Sequence, residues 1–153
     1  MRRLKKKLSR PRAPWDSARL EDETKLLKEF GLRRKREIWS AEERVRNFRR
    51  RARSLIAVKD ENKTQILLDR LVYLGLIQKG QGLDQVLQLK AGELLNRRLQ
   101  TLVFKKGFAS SVKEARQRIT HGHIFVEGRK MVFPAYIVPV DKENLINAEG
   151  GKQ

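Results

Sequence analysis

The chain has 153 residues, the size of one domain or of one domain with a small companion, and carries a net charge of +18. Such an excess of 36 Lys and Arg over 18 Asp and Glu is most easily explained by a polyanionic partner, with nucleic acid as the first candidate. With no cysteine, two histidines and no long apolar run, the sequence excludes disulfides, thiolate or three-histidine metal sites and a membrane span.

The positive charge is concentrated in three segments. Residues 1–12 carry seven basic residues and no acidic one, residues 33–53 carry ten basic residues and three glutamates, and residues 97–130 carry nine basic residues and two glutamates. Each segment has a net charge of +7, and the rest of the chain is slightly acidic. A surface that is charged only for solubility would not segregate its charge in this way.

Residues 1–14 are predicted to form an extended basic arm. Pro11 and Pro14 are incompatible with a regular helix here, and few apolar residues are available to dock the segment. We expect the arm to be disordered alone and ordered against phosphates, the alternative being a tail without a specific role. The arm residues expected to contact RNA are Arg2, Arg3, Lys5, Lys6, Lys7, Arg10 and Arg12.

A helix over residues 16–30 is predicted next, with Gly31 as its stop. Ser40-Ala-Glu-Glu43 resembles a capping box and predicts the start of a second helix. The predicted buried stripe of that helix is Val45, Phe48, Ala52, Leu55 and Ile56. Its remaining positions are mostly arginine, whose guanidinium group suits phosphate. The residues proposed to contact RNA are Arg46, Arg49, Arg50 and Arg53.

The middle of the chain is neutral and rich in apolar residues. Residues 64–74 are predicted to form a helix closed by Gly75, and residues 83–89 a short helical or turn element. Because this section carries no net charge, we expect it to supply the core of an N-terminal helical lobe.

Two more helices and a small antiparallel sheet are predicted after residue 93. The first helix places Leu95, Leu99, Leu102 and Val103 on one side and ends at Gly107. Ser111-Val-Lys-Glu114 is a second capping box, opening a helix that buries Val112, Ala115 and Ile119 and stops at Gly122.

The hydrophobic period then changes from 3.6 to 2. Residues 123–127 are predicted to form a strand, 127–130 a tight turn, residues from Met131 a second strand, and 137–140 a further edge strand. The fold class is therefore α+β. Basic residues of the first helix, the start of the second and the Arg129-Lys130 turn are expected to share one surface.

Three segments of this region, 97–107, 115–124 and 126–129, resemble the S4 RNA-binding domain. Asp16-Ser-Ala-Arg-Leu20 and the stretch from Glu29 to Ile38 also resemble the small-subunit ribosomal protein S4 family of archaea and eukaryotes. The resemblance covers about residues 10–143. Together with the charge and hydrophobic patterns, it predicts an arm over 1–14, a helical lobe over 15–93, an S4-like domain over 94–147 and a flexible tail over 148–153.

The resemblance also implies a function. Such a protein is a structural constituent of the cytoplasmic ribosome, a primary binder of small-subunit rRNA that nucleates assembly of the subunit body and contributes to translational accuracy. Its expected neighbours are small-subunit proteins, notably protein five, and mRNA at the entry side. We expect no enzymatic activity, no cofactor and no metal. An RNA-modifying enzyme would need a catalytic domain, whereas residues 1–93 indicate helices and an arm; a ribosome-assembly factor with an S4 domain is the closer alternative.

The family's RNA-facing surface matches seven positions of this chain. They are Arg97, Arg98, Ser111, Lys113, Arg116, Arg118 and His121. The basic pattern adds Lys105, Lys106, Arg129 and Lys130. Arg116 flanks the buried stripe of its helix; its alternative role is an internal salt bridge with Glu114 or with an acid of the helical lobe. The aromatic residues Trp15, Trp39, Phe104 and Phe125 are expected to serve packing, with stacking on RNA bases as the alternative.

Overall fold

The computed structural model describes residues 8, 11 and 13–148. Eight helices and one three-stranded antiparallel sheet form in this part of the chain, which confirms the α+β class. The helices are α1 Ser17–Glu29, α2 Lys35–Val58, α3 Glu61–Tyr73, α4 Leu83–Gln88, α5 Ala91–Asn96, α6 Leu99–Lys105, α7 Val112–His121 and α8 Val140–Glu143. The strands are β1 Ile124–Val126, β2 Arg129–Lys130 and β3 Ile146–Ala148. Among the described residues, none of the helices combines the length and the apolarity that crossing a bilayer requires.

The first hydrophobic cluster lies around α2. This helix contacts α1, α3, α4 and α5, and Ile38, Leu71 and Val86 are fully buried between the helices. The prediction that the neutral middle section supplies this core is confirmed, because Leu67, Leu71, Ile77, Val86 and Leu89 belong to it. Removing these side chains from water is the main force that holds the five helices together.

The predicted start of α2 is wrong. The helix begins at Lys35, and Ser40 lies one and a half turns inside it. Ile38 and Ala41 are buried, so the apolar stripe starts before Ser40. At the start of the helix, the Glu37 carboxylate accepts a hydrogen bond from the backbone N–H of Arg33 at 3.1 Å. The burial of Ile56 is also wrong, since it is 44% exposed. Leu55 takes the inward position, and the next residue lies about 100° away around the helix.

The second hydrophobic cluster joins α6, α7, β1 and β3. Leu99, Val103, Ile119, Ile124 and Ile146 are fully buried in it.

The capping box at the start of α7 is confirmed. The Ser111 hydroxyl accepts from the N–H of Glu114 at 3.2 Å, and the Glu114 carboxylate accepts from the N–H of Ser110 at 2.7 Å. Gly122 ends the helix in the left-handed conformation, as expected.

The sheet differs from its prediction in two respects. The β1–β2 loop has only two residues, Glu127 and Gly128, both with positive φ, which is the type I′ geometry. The second strand therefore starts at Arg129 and not at Met131. The predicted edge strand over 137–140 is wrong, because β3 occupies that edge of β1 and Val140 opens α8.

A break at Arg97 and Arg98 separates α5 from α6, where one continuous helix had been predicted. Arg98 is extended, with ψ of 143°. The chain here pairs with the segment that the prediction had placed in the sheet: Leu99 N–H donates to Tyr136 at 2.8 Å, and Val138 N–H donates to the Arg97 carbonyl at 2.9 Å. These long-range bonds replace helical ones, and the break turns the chain from the first cluster, at Leu95, into the second.

The turn between α1 and α2 packs closely against the start of α7. Gly31 has φ of +55°, and a Cβ at this position would lie 3.1 Å from Val112 Cβ and 3.2 Å from Gln100 Nε2. Gly107 occupies the equivalent position after α6, with φ of +77°, but a Cβ there would meet no atom within 4 Å.

Gly31→Ala is expected to destabilise the protein more than Gly107→Ala does. Both substitutions force an L side chain into the left-handed region, at a cost of roughly 1–2 kcal/mol. Only Gly31→Ala also pushes the turn away from Val112. Chemical denaturation of the two variants measures the difference, and equal losses of unfolding free energy would contradict the close packing.

Candidate nucleic-acid interface

One side of α2, together with the two residues before it, exposes arginine. The exposed basic residues of this α2 arginine face are Arg33, Arg34, Arg36, Arg44, Arg46, Arg50, Arg51 and Arg53. The opposite side of the helix carries Ile38, Ala41, Val45 and Ala52 into the first cluster. Because the apolar stripe fixes the rotation of the helix, it also fixes the direction in which the arginines point.

The four arginines of α2 that were predicted to contact RNA have different environments. Arg46 donates to the Glu43 carboxylate at 2.8 Å and Arg50 to Asn47 Oδ1 at 2.9 Å, while both stay exposed. Arg53 is exposed as well, with one 3.4 Å bond to the carbonyl of Arg49. Arg49 is half-buried, and its Nε and Nη2 both donate to the Leu89 carbonyl, which ties α2 to the end of α4. Arg49 therefore has a structural role within the helical lobe.

The exposed basic residues of the second half are Lys105, Lys113, Arg118, Arg129 and Lys130. Lys105 donates to Asn96 Oδ1 at 3.0 Å, and Arg118 pairs with Glu114 at 2.8 Å. The side chain of Lys113 has no hydrogen-bond or ion-pair partner among the described residues. The Lys130 side chain lies over Gly122, which brings β2 beside the end of α7.

Three further predicted residues have local roles. Lys106 is half-buried and donates to the backbone carbonyl of Glu143. Ser111 is exposed, but its hydroxyl caps α7. His121 is exposed at the end of α7, with its ring centroid 6.4 Å from that of His123. In the described part of the chain, no group of three or more His, Asp or Glu side chains could hold a metal ion.

Arg97 and Arg98 lie at the junction of the two lobes and not on the exposed surface. Arg97 donates to Glu143 at 2.7 Å and to the Val138 carbonyl at 3.0 Å. The side chain of Arg98 is only 6% exposed, and its Nη2 donates to Glu37 Oε2 at 2.6 Å. Sequence matching assigned both residues to the RNA-facing side, but their guanidinium groups join parts of this chain to each other.

Glu37 links α2 to both Arg98 and Arg116. Arg116 Nη1 lies 3.3 Å from each Glu37 oxygen. Burial raises the pKa of Glu37, but the hydrogen bond from Arg98 and the charges of Arg98 and Arg116 outweigh burial and hold that pKa below 4.5. We call these three residues the junction bridge.

Arg116 therefore fulfils the alternative proposed for it, an internal salt bridge with an acid of the helical lobe. Its side chain is 28% exposed and only Nη1 is engaged. The guanidinium group is consequently held in place by Glu37 while part of it remains at the surface.

Gln100 adds a second link between the lobes. Its buried Nε2 lies within hydrogen-bond distance of three carbonyl oxygens, those of Phe30 at 3.3 Å, Gly31 at 3.0 Å and Val112 at 2.9 Å, which share its two hydrogens. The α1–α2 turn, α6 and the first residue of α7 are thereby held together. Sequence reasoning missed Glu37 and Gln100; the one available signal was an isolated acid directly after four consecutive basic residues, 33–36.

The aromatic residues differ in their roles. Trp39 packs against the first cluster, as expected, and its Nε1 donates to the buried carboxylate of Glu23 at 2.9 Å. Phe125 is half-buried, whereas Phe104 is 39% exposed. The packing predicted for Trp15 is wrong, because this side chain is 89% exposed. Arg19 Nη2 donates to the carbonyls of Ala13 and Pro14, so the backbone before α1 is fixed while the indole stays outside.

Comparison with known proteins agrees with this layout. The family model described as S4 domain matches residues 97–143, starting at the break between α5 and α6. Over 148 residues the chain is 49% identical to small ribosomal subunit protein uS4 of Ignicoccus hospitalis, covering 95% of this chain and 89% of that protein. It is 43% identical to the uS4 protein of Methanothermobacter thermautotrophicus (95% and 86% covered) and 44% identical to that of Saccharolobus solfataricus (95% and 83% covered).

The junction bridge predicts unequal effects of its two arginines. Arg98→Ala leaves the Glu37 carboxylate without its closest partner in a mostly buried site and is expected to cost about 3–5 kcal/mol of unfolding free energy. Arg116→Ala removes a longer and more exposed pair and is expected to cost about 0–1 kcal/mol. The measurement is denaturant unfolding of the free protein, with Arg51→Ala as an exposed control on α2. A larger loss for Arg116→Ala than for Arg98→Ala would contradict this assignment.

Proposed function

The chain belongs to the family of small ribosomal subunit protein uS4, and we propose that it acts as a structural rRNA-binding component of the small subunit in cytoplasmic ribosomes. The observation that carries the proposal is the α2 arginine face. Its eight exposed arginines lie on α2 and just before it, and the opposite side of the helix is buried in the core. The family is structural, and no catalytic role is assigned to the chain.

The dimensions of α2 suit an extended phosphate array. A helix of 24 residues is about 36 Å long, so its arginines reach phosphates well separated along an RNA backbone. Guanidinium groups bind phosphate oxygens through paired hydrogen bonds, which lysine cannot do. Paired hydrogen bonds of this kind favour tight docking of RNA on the arginine face over diffuse electrostatic attraction alone.

The S4 domain contributes a second contact region. Lys113 and Arg118 on α7, Lys105 at the end of α6, and Arg129 and Lys130 on β2 are exposed and basic. His121 and Ser111 lie at the two ends of the same α7 helix. Because the junction bridge and Gln100 hold α7 against the start of α2, the two regions present their charge at a fixed separation.

Fixed separation is what a protein needs to hold several RNA helices together. Backbones that approach each other repel, and cations placed between them lower that repulsion. We infer an early role in assembly, in which the protein binds an rRNA junction and nucleates the body of the subunit, and a contribution to translational accuracy beside protein five and mRNA at the entry side. The arm residues Arg2, Arg3, Lys5, Lys6, Lys7, Arg10 and Arg12 lie outside the described residues, and their RNA contacts are proposed from sequence alone.

The proposed domain organisation is an arm over 1–14, a helical lobe over 15–93, an S4 domain over 94–147 and a tail over 148–153. The two hydrophobic clusters meet between Leu95 and Leu99, a few residues after the proposed boundary, because Leu94 and Leu95 pack in the first cluster.

Sedimentation tests the ribosomal role. The tagged chain, expressed in an archaeal cell, is expected to sediment with mature small subunits at one copy per subunit and to remain bound after precursors are removed. Enrichment in precursors and absence from mature subunits would favour the alternative of an assembly factor with an S4 domain.

Binding to deproteinised small-subunit rRNA is expected to depend steeply on salt. Lys113→Ala should reduce the slope of log K against log salt by roughly 0.7–0.9, because one phosphate contact is lost. Lys79→Ala is the matched control, since Lys79 is also exposed but lies in the neutral middle section. Filter binding over a salt series measures both slopes. Equal slopes for Lys113→Ala and the wild type would remove α7 from the proposed contact region.

A further inference from the structure

A pocket of about 230 Å³ opens where α2, α5 and the loop between β2 and α8 meet. Its apolar lining comes from three different elements. These apolar residues are Ala41, Leu94, Leu95, Ala135 and Ile137. Its polar lining is mostly cationic and includes Arg34, directly before α2, and Arg36 and Arg44 on that helix. A surface that met only phosphates would have no use for an apolar floor.

The electrostatics of the pocket select an anion. Arg34, Arg36 and Arg44 are exposed and have no side-chain hydrogen-bond or ion-pair partner among the described residues. The single acid in the lining, Glu37, is already paired with Arg98 and Arg116. Three cationic charges at the pocket are therefore unneutralised.

The size of the pocket limits the ligand to one small group. Sites for drug-sized molecules are about 300–1,000 Å³, and this pocket is smaller. An unstacked nucleobase is planar, has acceptors on its edge and stays attached to phosphates. Proteins that read single-stranded RNA hold such bases on apolar or guanidinium surfaces.

We propose that this pocket binds one unpaired nucleotide of the rRNA, with the base over the apolar floor and the adjoining phosphates on Arg34, Arg36 and Arg44. The inference rests on the proposed rRNA-binding function and adds to it a site that distinguishes unpaired from paired RNA. The α2 arginine face beyond the pocket, by contrast, is expected to bind any RNA backbone.

The first test compares a short single-stranded RNA of mixed sequence with its blunt duplex. Arg44→Ala is expected to weaken binding of the single strand about tenfold or more relative to the duplex, since a charge-assisted contact at the pocket is lost. Arg51→Ala removes the same charge from an exposed position of the same helix outside the pocket, and should weaken both RNAs alike. If Arg44→Ala also weakens both RNAs alike, the pocket does not select unpaired nucleotides.

The second test uses the absence of cysteine from this chain. Ala135→Cys places a single thiol at the exposed edge of the pocket, and Ala57→Cys places one at an exposed control position near the end of α2. Each variant is labelled with a photoreactive group, bound to deproteinised small-subunit rRNA and cross-linked. The Ala135→Cys variant is expected to cross-link at an unpaired nucleotide that the control does not reach.

Failure of this inference is distinguishable from failure of the proposed function. If the labelled chain binds rRNA with wild-type affinity but Ala135→Cys cross-links only to paired nucleotides, or to none, the pocket assignment is overturned and the function stands. If the wild-type chain does not bind rRNA above its affinity for unrelated RNA, the proposed function itself fails.

Discussion

A single carboxylate, that of Glu37, joins the two halves of this molecule. It accepts hydrogen bonds from Arg98, at the break between α5 and α6, and from Arg116 on α7. Two guanidinium groups close together repel each other, but each of them is attracted to the carboxylate that lies between them. Because Glu37 is fixed in the first turn of α2, this attraction sets the position of α7 relative to the longest helix.

Several acidic residues pair with basic residues inside the fold, and this pairing affects which charges remain at the surface. Glu23 is buried and pairs with Arg19 and Lys35, Glu37 pairs with Arg98, and Glu143 pairs with Arg97. The Arg19–Glu23 pair lies within α1, and the other pairs join different elements. Among the exposed residues of α2, six are arginine and Glu42 is the one acid. The surface offered to a polyanion is therefore more uniformly positive than the composition of the chain alone would suggest, which strengthens steering toward RNA.

The fold elements that could be predicted are those with local signals. Asp16 caps α1, Ser111 caps α7 and Gly122 ends α7, and each of these boundaries depends on hydrogen bonds between residues close in sequence. The errors lie where distant segments compete for the same backbone groups. The break at Arg98 exists because residues 97–99 bond to residues 136–138, and β3 takes the edge of β1 that had been assigned to residues 137–140. No local pattern reports such competition.

The sequence by itself determined that the chain is strongly cationic in three segments, that it has an α+β fold with a helical first part, and that an S4 domain follows. Those properties depend on composition, on hydrophobic period and on short motifs, which are all local. Only the tertiary structure decided which arginines face outward. Arg98 and Arg116 lie in the same basic segment and both pair with Glu37, yet the side chain of Arg98 is 6% exposed and that of Arg116 is 28% exposed. The reason is physical: the role of a charged side chain depends on the counter-charge and the burial that folding brings to it, and the counter-charge that these two arginines share lies more than sixty positions away in the sequence.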